Sequence, residues 1–222
     1  MKTFINLFFF LFLSTSVPIN AQESDDYIEF NDRKNIVHGV YLGIVTHYGE
    51  IKGKDTYLLG VKFAYVANRQ FEVGFVVKGL YSNQNFTGLL STNEDLASIY
   101  MGLHFEPILF RESIINLSFP LLIGGGAAKY VDGNLVSRND ELEIDFKEGI
   151  DDWDSFFVLE PGVNLLFNVS RYFQIEAGVR YRLSSKITIN PSSVNRINGF
   201  SAGLGIKLGV FNLGRNRYKK HL

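Results

Sequence analysis

Residues 172–183, YFQIEAGVRYRL, constrain the fold more than any other stretch of the chain. Taken every second residue, Phe173, Ile175, Ala177, Val179, Tyr181 and Leu183 form an unbroken apolar row. The interleaved row is Tyr172, Gln174, Glu176, Gly178, Arg180 and Arg182, polar apart from one glycine. A period of two is a β-strand with two unlike faces. Six apolar positions facing one way, with charges facing the other, suit a strand that touches lipid outside and lines a small polar lumen inside.

The same pattern recurs. Strand-like runs fall at about 36–48, 55–67, 70–82, 96–107, 113–129, 156–169, 172–185 and 197–211. Each carries an apolar row, such as Tyr57, Leu59, Val61, Phe63 and Tyr65, or Phe200, Ala202, Leu204, Ile206, Leu208 and Val210. No long segment has a helical period, and no stretch beyond the N-terminus is long enough to cross a bilayer as a helix. A membrane location therefore has to come from strands. The expected fold class is all-β: an eight-stranded antiparallel up-and-down transmembrane β-barrel.

The second row holds the charges: Lys62, Glu72, Lys78, His104, Glu106, Glu160, Glu176, Arg180, Arg182 and Lys207. It also holds most of the strand glycines, with Gly79 as an exception on the apolar row. A barrel of about eight strands has an interior only just wide enough for side chains. Inward glycines leave room for Tyr41, Arg180 and Arg182 to lie across it. Buried charges of both signs have to pair, so these ten residues are the expected lumen charge network. A closed, salt-bridged plug is the leading reading. A filter for a small solute or proton, lined by His104 and Glu106, is the alternative.

The links between runs alternate in length. Those at 68–69, 108–112 and 170–171 are tight; those at 49–54, 83–95, 130–155 and 184–196 are longer. Short turns at one end and long loops at the other mark an outer-membrane barrel, with turns on the periplasmic side. Aromatics gather near both ends of the apolar rows, among them Phe71, Phe110 and Phe167 at the turns and Tyr57, Phe156 and Phe200 at the loops. Two girdles at the headgroup levels are expected.

Residues 1–21 read as a cleaved signal peptide: Lys2, a short apolar core INLFFFLFL, then a small-residue site ending at Ala21. Residues 22–35 are a polar, acidic periplasmic leader, 36–211 the barrel and 212–222 a basic tail. The chain has no cysteine, so no disulfide, thiol chemistry or lipoprotein anchor is expected. A formal net charge of −1 offers no argument for nucleic acid. The loop 130–155 is acidic and could meet the divalent cations of lipopolysaccharide, although it lacks a calcium-loop spacing and a solvated loop suffices. No metal site, cofactor or catalytic set is expected. Gly124, Gly125 and Gly126 precede no helix and make no phosphate loop.

The alternating strands and the run GFSAGLGIKLGVF at 199–211 resemble the small outer-membrane barrels of the OmpA, OmpX and OmpW type. The stretch 160–183 resembles the outer-membrane β-barrel domain family of Gram-negative bacteria. The resemblance implies a location in the outer membrane among lipid and lipopolysaccharide, delivery by the barrel-assembly machinery, and Phe211 as the terminal aromatic that machinery reads. Eleven further residues follow Phe211, a departure from that pattern, and they contain no peptidoglycan-binding domain. The expected role is non-enzymatic: structural, accessory, or interacting with other outer-membrane proteins. A narrow solute channel is the alternative. A lipid-modifying enzyme is a further one, weakened because His104-Phe105-Glu106 lacks the His-x-Ser pair of one such family.

Overall fold

The computed structural model describes residues 37–87, 93–110, 113–132, 153–189 and 194–213. Its strands are β1 (His38–Ile51), β2 (Lys54–Ala67), β3 (Phe71–Thr87), β4 (Asn93–Leu109), β5 (Ile115–Ser118), β6 (Leu121–Asp132), β7 (Asp154–Asn168), β8 (Phe173–Ser184) and β9 (Gly199–Leu213). The expected signal peptide, the leader, most of the acidic loop and the tail beyond Leu213 lie outside the described residues.

Every strand pairs antiparallel with its neighbours, and β9 pairs back onto β1 through partners such as Ile44↔Ile206, so the sheet closes. Short β5 and β6 are two halves of one strand. Both lie between β4 and β7 in a single register, shown by Ile108↔Ser118 and Phe105↔Leu121 on one side and Ser118↔Asn164 and Leu121↔Pro161 on the other. The run expected at 113–129 is thus interrupted at Phe119 and Pro120, because Pro120 has no amide to give to the ladder. The Pro120 carbonyl still accepts from the Gly162 amide at 2.8 Å. The result is a ring of 8 strands without a free edge.

The alternation sets the faces. Along β1 exposed and buried residues alternate without a break. The outside carries Leu59, Phe75, Met101 and Leu204, exposed by 59–64%. Such a belt would be a severe aggregation hazard in water and is at home in hydrocarbon. Gly79 does face outward, where a β-carbon would meet only the Leu59 carbonyl oxygen, at 3.9 Å.

Two expectations are corrected. The link at 49–54 is a two-residue hairpin turn, not a longer loop: β1 and β2 stay paired out to Ile51↔Lys54. Lys52 and Gly53 both have positive φ (52° and 74°), the backbone a tight hairpin turn requires, with glycine in the second seat. Phe156 belongs to no girdle. It is 4% exposed and points inward, edge-on to Tyr100, while its neighbour Phe157 faces out.

At the other end Asn68 and Arg69 make the β2–β3 turn, each with φ of 55°. Here an arginine holds a left-handed seat that glycine fills without strain.

Candidate functional site: the barrel lumen

The lumen is filled in three layers. The middle one holds all ten expected charged residues, each at most 3% exposed. Their strands deliver them because each lies on the inward parity. Lys207 of β9 sits 2.9 Å from Glu72 Oε2 on β3, 3.3 Å from Glu176 on β8 and 3.5 Å from Glu106 on β4. Lys62 of β2 sits 2.8 Å from Glu176 and 3.5 Å from Glu106. Two ammonium groups are therefore shared among three carboxylates. Nearer the loop end Lys78 pairs with Glu160, whose other oxygen accepts from the Tyr100 hydroxyl at 2.8 Å. Arg180 lies between the two groups, 3.6 Å from both Glu160 and Glu176. Arg182 donates from Nε to the Ile197 carbonyl at 2.7 Å.

Neutral partners complete the network. Tyr41 donates to Glu72 at 2.5 Å, Ser118 to Glu106 at 2.6 Å, Asn164 to Glu106 at 3.0 Å, and His104 Nε2 meets Glu106 at 2.9 Å. Tyr100, Ser118 and Asn164 were not singled out from the sequence. Their signal was available, since they share the inward parity of the charges around them. His47 is also inward and buried.

Glu72, His104 and Glu106 offer ligand atoms within 4.8 Å of one another. The residues present do not suit a metal ion. The Lys207 ammonium already bridges Glu72 and Glu106, and Lys62 touches Glu106 as well, so an ion would have to displace a buried lysine.

The loop-end layer is apolar. Ile187, Ile189, Val194 and Ile197, from the segment after β8, are buried against inward Leu58, Leu80, Leu96, Leu122 and Val158. The expectation of glycines and charges along the inner rows missed this cap. It forms because the segment after β8 folds into the mouth. The Arg182–Ile197 bond holds it there, together with Ile197 N donating to Ser184 Oγ at 2.9 Å.

The turn-end layer is a pocket of about 310 Å³. Arg69 and Arg171 lie on its walls, Glu72 and Gln174 line it, and Val66, Ile108 and Phe211 give it an apolar side. Phe211 is half-buried with its ring 5.6 Å from that of Tyr41.

This ring and its short turns have the fold of the small eight-stranded outer-membrane β-barrels. Neisserial surface protein A matches with a TM-score of 0.51 at 14% identity, covering 77% of this chain and 96% of that one. Ail, the attachment invasion locus protein of Yersinia pestis, reaches 0.43 at 17% identity over 79% and 99% of the two chains. OprG from Pseudomonas aeruginosa reaches 0.31 at 14% identity over 79% and 92%. The likeness is one of fold, and it rests on the Neisserial protein. No protein-family model and no curated protein matches the sequence.

Proposed function

We propose that the chain is an outer-membrane barrel with a structural or accessory role, in which the outer surface and loops meet partners and the lumen carries nothing. One observation supports this above the others: the loop-end mouth is filled by an apolar cluster of isoleucine, leucine and valine stacked on a charge network whose three lysines are already paired with carboxylates. An ion would have to cross an apolar layer and then displace buried ammonium or carboxylate groups. The short turns face the periplasm in this reading, and the belt faces lipid and lipopolysaccharide.

Planar-bilayer recording of the purified protein tests it. No unitary current is expected; resolved, ion-selective steps would overturn the closed-lumen reading. Purification from native outer membranes in mild detergent is then expected to recover a stoichiometric partner.

A narrow channel is favoured by one feature. The turn-end pocket reaches Glu72, so from that end the polar network is accessible and only the apolar cap stands beyond it. An enzymatic role has less support. Histidine, carboxylate and serine do meet, but Ser118 donates to Glu106 and not to His104, so the histidine is not placed to activate the hydroxyl. All three are sealed from lipid inside the ring.

A further inference from the structure

The turn-end pocket has features that the closed-barrel reading does not use. Arg69 and Arg171 come from two different tight turns, β2–β3 and β7–β8, yet line the same pocket. Both are exposed, and neither has an ion pair among the described residues. Arg69 occupies a left-handed turn seat at φ 55°, where glycine would be unstrained. Below them Gln174 is 5% exposed, and its carbonyl oxygen has no hydrogen-bond partner among the described residues.

The direction of that oxygen is set by its neighbours. Asn116 donates to the Ser113 carbonyl at 3.2 Å, which leaves its oxygen to accept from Asn168 Nδ2 at 2.5 Å. The Asn168 oxygen then accepts from Gln174 Nε2 at 2.6 Å. With its nitrogen committed, Gln174 presents an acceptor to the pocket. A buried acceptor without a donor is costly. Val66 and Phe211, which cluster with Tyr41, give the pocket apolar lining, and Ile108 of β4 adds to it. Deeper still, both Glu72 oxygens are held by Lys207, so a second negative charge is favoured at the arginine rim and repelled from the floor.

We propose that this pocket binds a small amphipathic carboxylate: the anion at Arg69 and Arg171, an N–H or O–H donor to Gln174, and an apolar group against Phe211. This goes beyond the closed-barrel reading and does not depend on it. The volume, about 310 Å³, sits at the small end of the range for ligand sites (~300–1,000 Å³).

The test uses the full-length barrel folded in detergent micelles, with N-acetyl-phenylalanine as the probe. The side-chain amide resonances of Gln174 and Asn168 are followed by NMR during the titration. A saturable shift of these signals is expected. The neutral N-acetyl-phenylalanine amide is expected to bind about tenfold more weakly, the loss of one charge-assisted contact. A variant carrying Arg69→Gly and Arg171→Gln is expected to lose at least as much affinity. Its folding is not at risk, because glycine relieves the turn and Arg171 is exposed. No saturable shift, or equal affinity for acid and amide, overturns the proposal. So does displacement of the probe by inorganic phosphate at equal concentration, which would reduce the site to unspecific anion attraction.

Discussion

Replacing Lys207 by Met tests the lumen network most directly. Lys207 touches three carboxylates, but they depend on it unequally. Glu176 keeps Lys62 at 2.8 Å and Arg180 at 3.6 Å. Glu106 keeps Lys62, His104, Ser118 and Asn164. Among the described residues Glu72 keeps only the Tyr41 hydroxyl. The substitution therefore orphans one buried carboxylate, not three. Breaking a buried pair costs ~3–5 kcal/mol because the remaining charge is uncompensated, and with one hydroxyl left to Glu72 the lower half of that range, about 3–4 kcal/mol, is expected. If the orphan is Glu72, Lys207→Met combined with Glu72→Gln should recover most of the loss, to within about 1–2 kcal/mol of the parent. Denaturant unfolding of the protein in phospholipid vesicles measures both, read from Trp153, the one tryptophan in the chain. A single variant that loses less than about 1 kcal/mol, or a double variant with no recovery, would refute the assignment of Glu72 as the dependent group.

Three further outcomes are expected from the same assay. Arg180→Met should cost only about 1–2 kcal/mol, because Glu160 and Glu176 each have a closer lysine and the 3.6 Å contacts are loose; a cost matching that of Lys207→Met would show that Arg180 holds the network. Val179→Arg should cost ~2–4 kcal/mol, since Val179 is 53% exposed and lies near the middle of β8, the depth of the bilayer centre; an unchanged midpoint would place that face in water. Gly124→Ala should cost ~1–3 kcal/mol, because a β-carbon there runs into the Met101 carbonyl and the Gly102 backbone across the sheet. Gly79→Ala, where the new β-carbon makes only an ordinary 3.9 Å contact with the Leu59 carbonyl, should change stability by less than ~0.5 kcal/mol; equal effects at the two positions would deny the crowding.

The faces of the strands were legible in the sequence because a period of two leaves no freedom once one side is apolar. Lys62, Glu106, Arg180 and Lys207 could be assigned to the interior without knowing which strand each would meet. Their partners could not be read, since pairing across the lumen depends on register and closure, and neither is written locally. Strand ends were less legible. Ile51 and Lys54 extend the first hairpin because Lys52-Gly53 suits a tight turn, whereas a polar run looks the same whether it turns or loops. The cap was hidden for a related reason. Ile187 and Ile189 alternate like strand residues, and nothing in the segment says that it folds back into the mouth.

The ring has a kinetic consequence. The network is assembled from residues far apart in the chain: Lys62 and Glu176 are 114 positions apart, and Lys207 and Glu72 are 135 apart. Lys207 arrives on β9, the strand that also meets β1. Until that last strand docks, Glu72 has no ammonium partner, and a half-formed sheet keeps its inner charges hydrated. Such non-local contacts form late and slowly. Closure of the sheet and pairing of Glu72 are therefore a single event, and an intermediate that lacks β9 presents that carboxylate to water on an open concave face.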